Sequence, residues 1–172
     1  MFKHIIFATL LTFAMLGTVR AADAPTDPQI AHIAYTAGQI DITAAQQALK
    51  KSKNADVIAF AEEMARDHQA VNDQALALVK KLGVTPEDNP ISQSLNKNAT
   101  DELATLDKLD GAAFDKAYIN NEAAYHKAVN AALASTLIPS AKNAGLKALL
   151  QTGLTLFTDH QHHAEMLAAS FK

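Results

Sequence analysis

Among the 172 residues there is no cysteine and no tryptophan. Without cysteine the chain has no disulfide, thiolate metal site, cysteine nucleophile or lipid-bearing N-terminal cysteine. Glycine (6) and proline (5) are sparse, and no Gly-rich phosphate loop or Gly-x-Ser-x-Gly elbow occurs. Ser52, Ser92, Ser94, Ser135, Ser140 and Ser170 fall at helix ends or in polar segments, which disfavours a serine hydrolase. The formal charge of -3 offers nucleic acid no basic footprint. Strand-length alternation of apolar and polar residues is also missing, and Asp110-Gly111 is the one hairpin-type dipeptide. What the chain does have is a 49% hydrophobic composition, enough for the core of one domain, and seven histidines. That is more histidine than packing a small helical protein requires.

The first residues read as an address. Met1-Phe2-Lys3-His4 is basic, Ile5 to Leu16 is an apolar run, and Val19-Arg20-Ala21 supplies a small-x-small cleavage pattern. A bilayer span needs about 20 apolar residues, so the run is too short for an anchor. We therefore expect a cleaved signal peptide over residues 1–21, with Ala22 and Ala24 as alternative cut sites, and a periplasmic or secreted domain over 22–172. Cleavage removes Lys3 and Arg20 and no acid, so 13 basic groups face 18 acidic ones and the net charge becomes -5. Neither DNA nor an anionic lipid surface attracts such a chain, and the mature chain has no transmembrane segment.

The remainder predicts helices. Asp27 as N-cap with Pro28 at the first helical position opens a helix to about Lys51. A second begins near Asn54 and ends at Gly83 after Lys80-Lys81, where a left-handed glycine and basic last turn are expected. Val84 to Pro90 is a loop and Ile91 to Leu109 a shorter, more polar helix. A further helix runs from about Ala112 to Thr136, and a last one from Pro139-Ser140 to the C-terminus. The expected fold is all-α: a ferritin-like four-helix bundle whose long crossover carries a short extra helix. An up-down bundle with an added helix is the alternative.

Placing each helix at about 100° per residue puts ionisable groups on apolar faces. Asp41 lies mid-stripe among Ile33, Ala37, Ala44 and Ala48, and His68 among Phe60, Met64, Val71 and Ala75. Glu122 falls within the stripe of Phe114, Tyr118, Tyr125 and Val129, with His126 on its border. His160 joins Leu150, Phe157, Ala164 and Leu167. Glu63, Asp67 and His163 sit at stripe edges, while His32 and His162 point outward. The inward groups stand near the middle of their helices, so they come level in a bundle. Buried carboxylates and imidazoles must pair or bind metal, and this donor set suits Fe, Mn, Zn or Cu. A satisfied polar layer is the competing reading, with Tyr118 and Tyr125 as core aromatics.

Phe60-Ala61-Glu62-Glu63-Met64-Ala65-Arg66-Asp67-His68 resembles the F-A-x-x-M-x-x-D-H phrase of a secreted bacterial family, domain of unknown function 4142, regarded as ferritin-like. Phe114-Asp115-Lys116-Ala117-Tyr118 with His126 resembles its F-D-x-x-Y…H phrase, and His160 with Ala164 its last-helix H-x-x-x-A element. The resemblance implies an envelope four-helix protein with His68, His126 and His160 at the family's histidine positions. It implies no activity. Di-iron ferritin-like proteins carry Glu-x-x-His on two helices, and this chain has none. A mononuclear or histidine-rich site is therefore expected, with Asp41, His68, Glu122, His126 and His160 as ligands and Asp67 orienting an imidazole. Its expected role is envelope metal handling or stress defence. The alternative is a non-enzymatic stress or interaction protein, and either could form homo-oligomers.

Overall fold

The computed structural model describes residues 24–171, and the signal peptide expected over 1–21 lies outside them. The helical patterns become α1 (Asp27–Lys51), α2 (Ala55–Leu82), α3 (Pro90–Asp107), α4 (Gly111–Ala132), a one-turn α5 (Ile138–Ser140) and α6 (Ala144–Ser170). No strand occurs among the described residues. None of their helices is long and apolar enough to cross a membrane.

Two boundaries differ from expectation. The N-cap of α1 is Thr26 rather than Asp27, and the Gln29 side chain folds back to accept the Thr26 N–H at 3.1 Å. That frees the Asp27 carboxylate to accept the backbone N–H groups of Lys142 (2.8 Å) and Asn143 (2.9 Å), tying the start of α6 to the start of α1. The second difference lies at Pro139, which ends one helical run instead of opening the next. Its ring cannot donate to the preceding turn and crowds it. The helix widens into a π-turn over Leu133–Leu137 and continues through α5. Ala141 then breaks it with extended ψ, and Asn143 caps α6 by accepting from Gly145 and Leu146. Elsewhere the caps agree: Asn54 accepts from Asp56 and Val57, and Gly83 closes α2 at φ 64.

Three-residue links at Ser52–Asn54 and Ala141–Asn143 leave room only for antiparallel neighbours, and α1 packs on α2 as α4 packs on α6. Contacts of α2 with α6 and of α1 with α4 close the ring. The crossover starts beside the first turn of α1, where the Glu87 N–H donates to Pro28 O at 3.1 Å. It finishes beside the last turn, where Lys51 Nζ donates to Asp107 O at 2.7 Å. So α3 runs along α1, and α4 sets off parallel to α2. His32, expected to face outward, is half-buried in consequence, with Nδ1 3.7 Å from Asp88 at the crossover.

The core has two apolar halves, one around Phe60, Met64, Phe114 and Tyr118 and one around Ile30, Leu133, Leu150 and Phe157. Each large side chain buried there contributes about 1.5–3 kcal/mol. Gly38, on α1 near the junction of the halves, packs against the buried Asn72, and a Cβ there would stand 2.9 Å from Asn72 Cγ. Gly38→Ala should therefore lower stability by about 1–2 kcal/mol, because overpacking outweighs the helix-propensity gain of about 1 kcal/mol. Urea unfolding would read this. A more stable variant would show that Asn72 yields without cost.

Candidate metal centre

Asp41, His68, Glu122, His126 and His160 come from α1, α2, α4 and α6, and each is at most 3% exposed. The four helices bring all five to one level between the apolar halves. His126 Nδ1 lies 3.0 Å from the Glu122 backbone carbonyl, one turn back on the same helix. A carbonyl only accepts, so Nδ1 carries the hydrogen and Nε2 presents a lone pair to the interior. That Nε2 stands 3.4 Å from His68 Nε2. Asp41 Oδ2 is 3.4 Å from each of them. Three donor atoms thus form a triangle with equal sides. An ion bound tetrahedrally at about 2.1 Å separates its ligands by about 3.4 Å, so the triangle has the dimensions of one face of such a site.

The flanking groups set the orientation of the rings. The three histidine rings stand 5.4–5.5 Å apart, centroid to centroid. His68 stacks on Phe157 at 4.5 Å and 11°, which fixes its plane. Asn130 holds α6 in place beside it, donating to Phe157 O at 3.1 Å and Gln161 Oε1 at 3.0 Å. His160 Nε2 is 3.2 Å from Asp67 Oδ2, and Arg66 Nε donates to the other oxygen of that carboxylate at 2.8 Å. Asp67 thus stands behind an imidazole as an outer carboxylate does in many metal sites. On the other side, the ligand atoms of Asp41, Glu122 and His126 lie within 4.8 Å of one another.

Burial dominates the electrostatics. It holds His68 well below the ordinary histidine value, helped by neighbouring His126 and His160, and brings His126 down to about 4. His160 is also lowered by burial, against the pull of Asp67. The imidazoles are neutral at pH 7 and able to donate lone pairs. Burial likewise raises Asp41 to about 8, and it lifts Glu122 well above the carboxylate range with the charge of Asp41 adding to the effect. Nδ1 of His68 and of His160 is buried with no hydrogen-bond partner, and the Asp41 and Glu122 carboxyl groups bond one another only by holding a proton between them. So thinly satisfied a layer stands out, since buried polar groups are overwhelmingly paired.

A further group was harder to see in sequence. His163 Nδ1 is 2.8 Å from Glu63 Oε2, and Glu63, Asp67 and His160 form another set of potential ligands. Glu63, Asp67 and His163 sit at stripe edges on α2 and α6, and the signal lay in the i, i+4 spacing of Glu63 with Asp67 and the i, i+3 spacing of His160 with His163. Joining them needs the relative register of two helices, which one wheel does not contain. Tyr125 donates to Ala37 O at 2.9 Å rather than to the polar layer, while Tyr118 keeps its buried hydroxyl unpartnered. His162 is exposed, as its position on the wheel predicts.

The family described as a domain of unknown function (DUF4142) matches residues 15–167. No curated protein and no solved structure matches the chain.

Proposed function

The chain belongs to the DUF4142 family, and on that premise we propose that it is an exported, ferritin-like four-helix protein that binds one transition-metal ion in its core. Its single long crossover between parallel α2 and α4 supports ferritin-like topology. The basic-apolar start and the cysteine-free acidic composition support export to the bacterial envelope. Asp41, His68 and His126 form the binding face, and Glu122 and His160 are the candidates for its remaining position. The absence of Glu-x-x-His argues for one ion rather than two. Nitrogen and oxygen donors suit Zn, Fe, Mn or Cu, and the spacing makes four-coordinate Zn²⁺ the first ion to test. Metal handling in the envelope is the role this supports best.

The observation that carries the reading is the triangle of Asp41 Oδ2, His68 Nε2 and His126 Nε2, each 3.4 Å from the other two. In a purely structural layer the Asp41 and Glu122 carboxyl groups need a proton between them, whereas a cation takes that proton's place and meets both imidazoles as well. Untagged protein should take up one equivalent of Zn²⁺ and melt at lower temperature after EDTA treatment. Background metal content after dialysis against Zn²⁺, Fe²⁺, Mn²⁺ and Cu²⁺, with unchanged melting in EDTA, would favour the polar layer instead.

A route to the centre is also present. Side-chain exposure falls from 37% at His163 and 32% at Glu63 to 19% at Asp67 and 2% at His160. These groups can pass an ion inward step by step. His163→Ala should slow Zn²⁺ uptake several-fold in stopped-flow mixing and leave the equilibrium affinity nearly unchanged. Equal loss of rate and affinity would place His163 in the site itself.

A further inference from the structure

The apolar half of the bundle beyond Phe157 is hollow. A cavity of about 510 Å³ lies among α1, α2, α4 and α6, with α3 laid over one side. Its walls are mostly carbon, including Ile33, Val71, Leu133, Leu150 and Phe157. The space traces to small residues at facing positions, with Ala34 and Ala37 on α1, Ala75 on α2 and Ala128 on α4 where larger side chains would close it. The volume lies within the range of small-molecule sites, about 300–1,000 Å³. Water fills such a space poorly, because each molecule needs two to four polar partners. Deep in the chamber Tyr125 and Asn72 direct their donors to the Ala37 and Tyr35 carbonyls.

Polar groups gather where α3 meets α4. Asn98 and Glu102 on α3 and Asn121 on α4 line that side of the cavity. Amides there can hydrogen-bond a head group, and the Glu102 carboxylate repels an anionic one. We propose that the chamber binds a neutral amphiphile, with an aliphatic or prenyl tail against Phe157 and a hydroxyl-type head between Asn98 and Asn121. The site is separate from the metal centre, although Phe157 forms a wall of both: its ring meets the chamber and stacks on His68.

The test uses the full chain and the neutral fluorophore N-phenyl-1-naphthylamine. One equivalent should bind saturably, farnesol and dodecanol should displace it, and palmitate should do so at least tenfold less well. Ala37→Leu/Ala75→Leu, which fills the chamber, should weaken probe binding at least tenfold while helical circular dichroism is retained. Ala128→Leu, at the rim, gives the same reading should the double variant fail to fold. Met166→Ser removes the most exposed large apolar side chain among the described residues and should change nothing. Absent or non-saturable binding overturns the proposal, as does binding unaltered by Ala128→Leu. Palmitate displacing as well as farnesol overturns the neutral head. A dimer dispersed by the filling substitutions would make a second copy the occupant and also overturn it. Probe binding should persist in EDTA, so loss of the metal reading leaves this one standing, and the reverse holds.

Discussion

Asp41→Asn should stabilise the metal-free protein and abolish its response to metal. The carboxyl group is 1% exposed, and its one side-chain hydrogen bond, to Glu122, needs a proton held between the two acids. Carrying it in the core is costly whether it is charged or forced to hold a proton. An asparagine keeps the shape, removes the charge, and directs an N–H toward imidazole nitrogens 3.4 Å away. A gain of about 1–3 kcal/mol is expected, which for a chain of this size raises the melting temperature by several degrees. Metal affinity should fall by more than about 100-fold, beyond the 10–100-fold typical of groups that only orient a ligand. His126→Ala should lose the metal to a similar degree without stabilising, because it opens a cavity in the core. Thermal melts with EDTA and with Zn²⁺, beside equilibrium metal binding, read both effects. If Asp41→Asn destabilised the metal-free protein, its carboxylate would be a structural partner and the metal assignment would lose its support.

The cost of placing a charge in an apolar core explains why much of this buried polar layer could be read from sequence. A charged residue inside an apolar stripe violates the pattern that makes a helix pack, so Asp41, His68, Glu122 and His160 announce themselves on their own wheels. Their common height follows from mid-helix positions and needs no knowledge of the loops. The inner triangle was not readable, because its 3.4 Å sides depend on rotamers and on the carbonyl that fixes the His126 tautomer. Glu63 and His163 were similarly obscure, since stripe-edge residues acquire meaning only from the neighbouring helix. In the fold, Pro139 misled because proline is at home at a helix start, and a π-turn that absorbs it has no local sequence signal. The hollow half was hidden for a different reason. Alanine on an apolar face looks the same whether helices approach closely or stand apart.

Protonation provides the second large effect, and bound metal should abolish it. Burial raises Asp41 from an ordinary 3.8 to about 8, and Glu122 is raised as well. Between those limits the folded metal-free protein holds a proton that the unfolded chain has released, so stability falls as pH rises toward 8. The histidines act in the other direction. His126 is lowered from 6.5 to about 4 and His68 is lowered too, so their contribution is lost as pH falls below 6.5 and is complete above it. From pH 6.5 to 8 the carboxyl effect stands alone, with a slope of up to about 1.4 kcal/mol per pH unit for each proton. A bound divalent cation cancels this slope, because it favours the carboxylate and expels the proton. Zn²⁺ affinity should rise up to about tenfold per pH unit over the same window for each proton released. Urea midpoints at pH 6.5, 7.2 and 8.0 should therefore decline in EDTA and stay level with saturating Zn²⁺. Parallel slopes in the two series would mean that the ion does not displace protons from Asp41 and Glu122, and hence that it binds elsewhere.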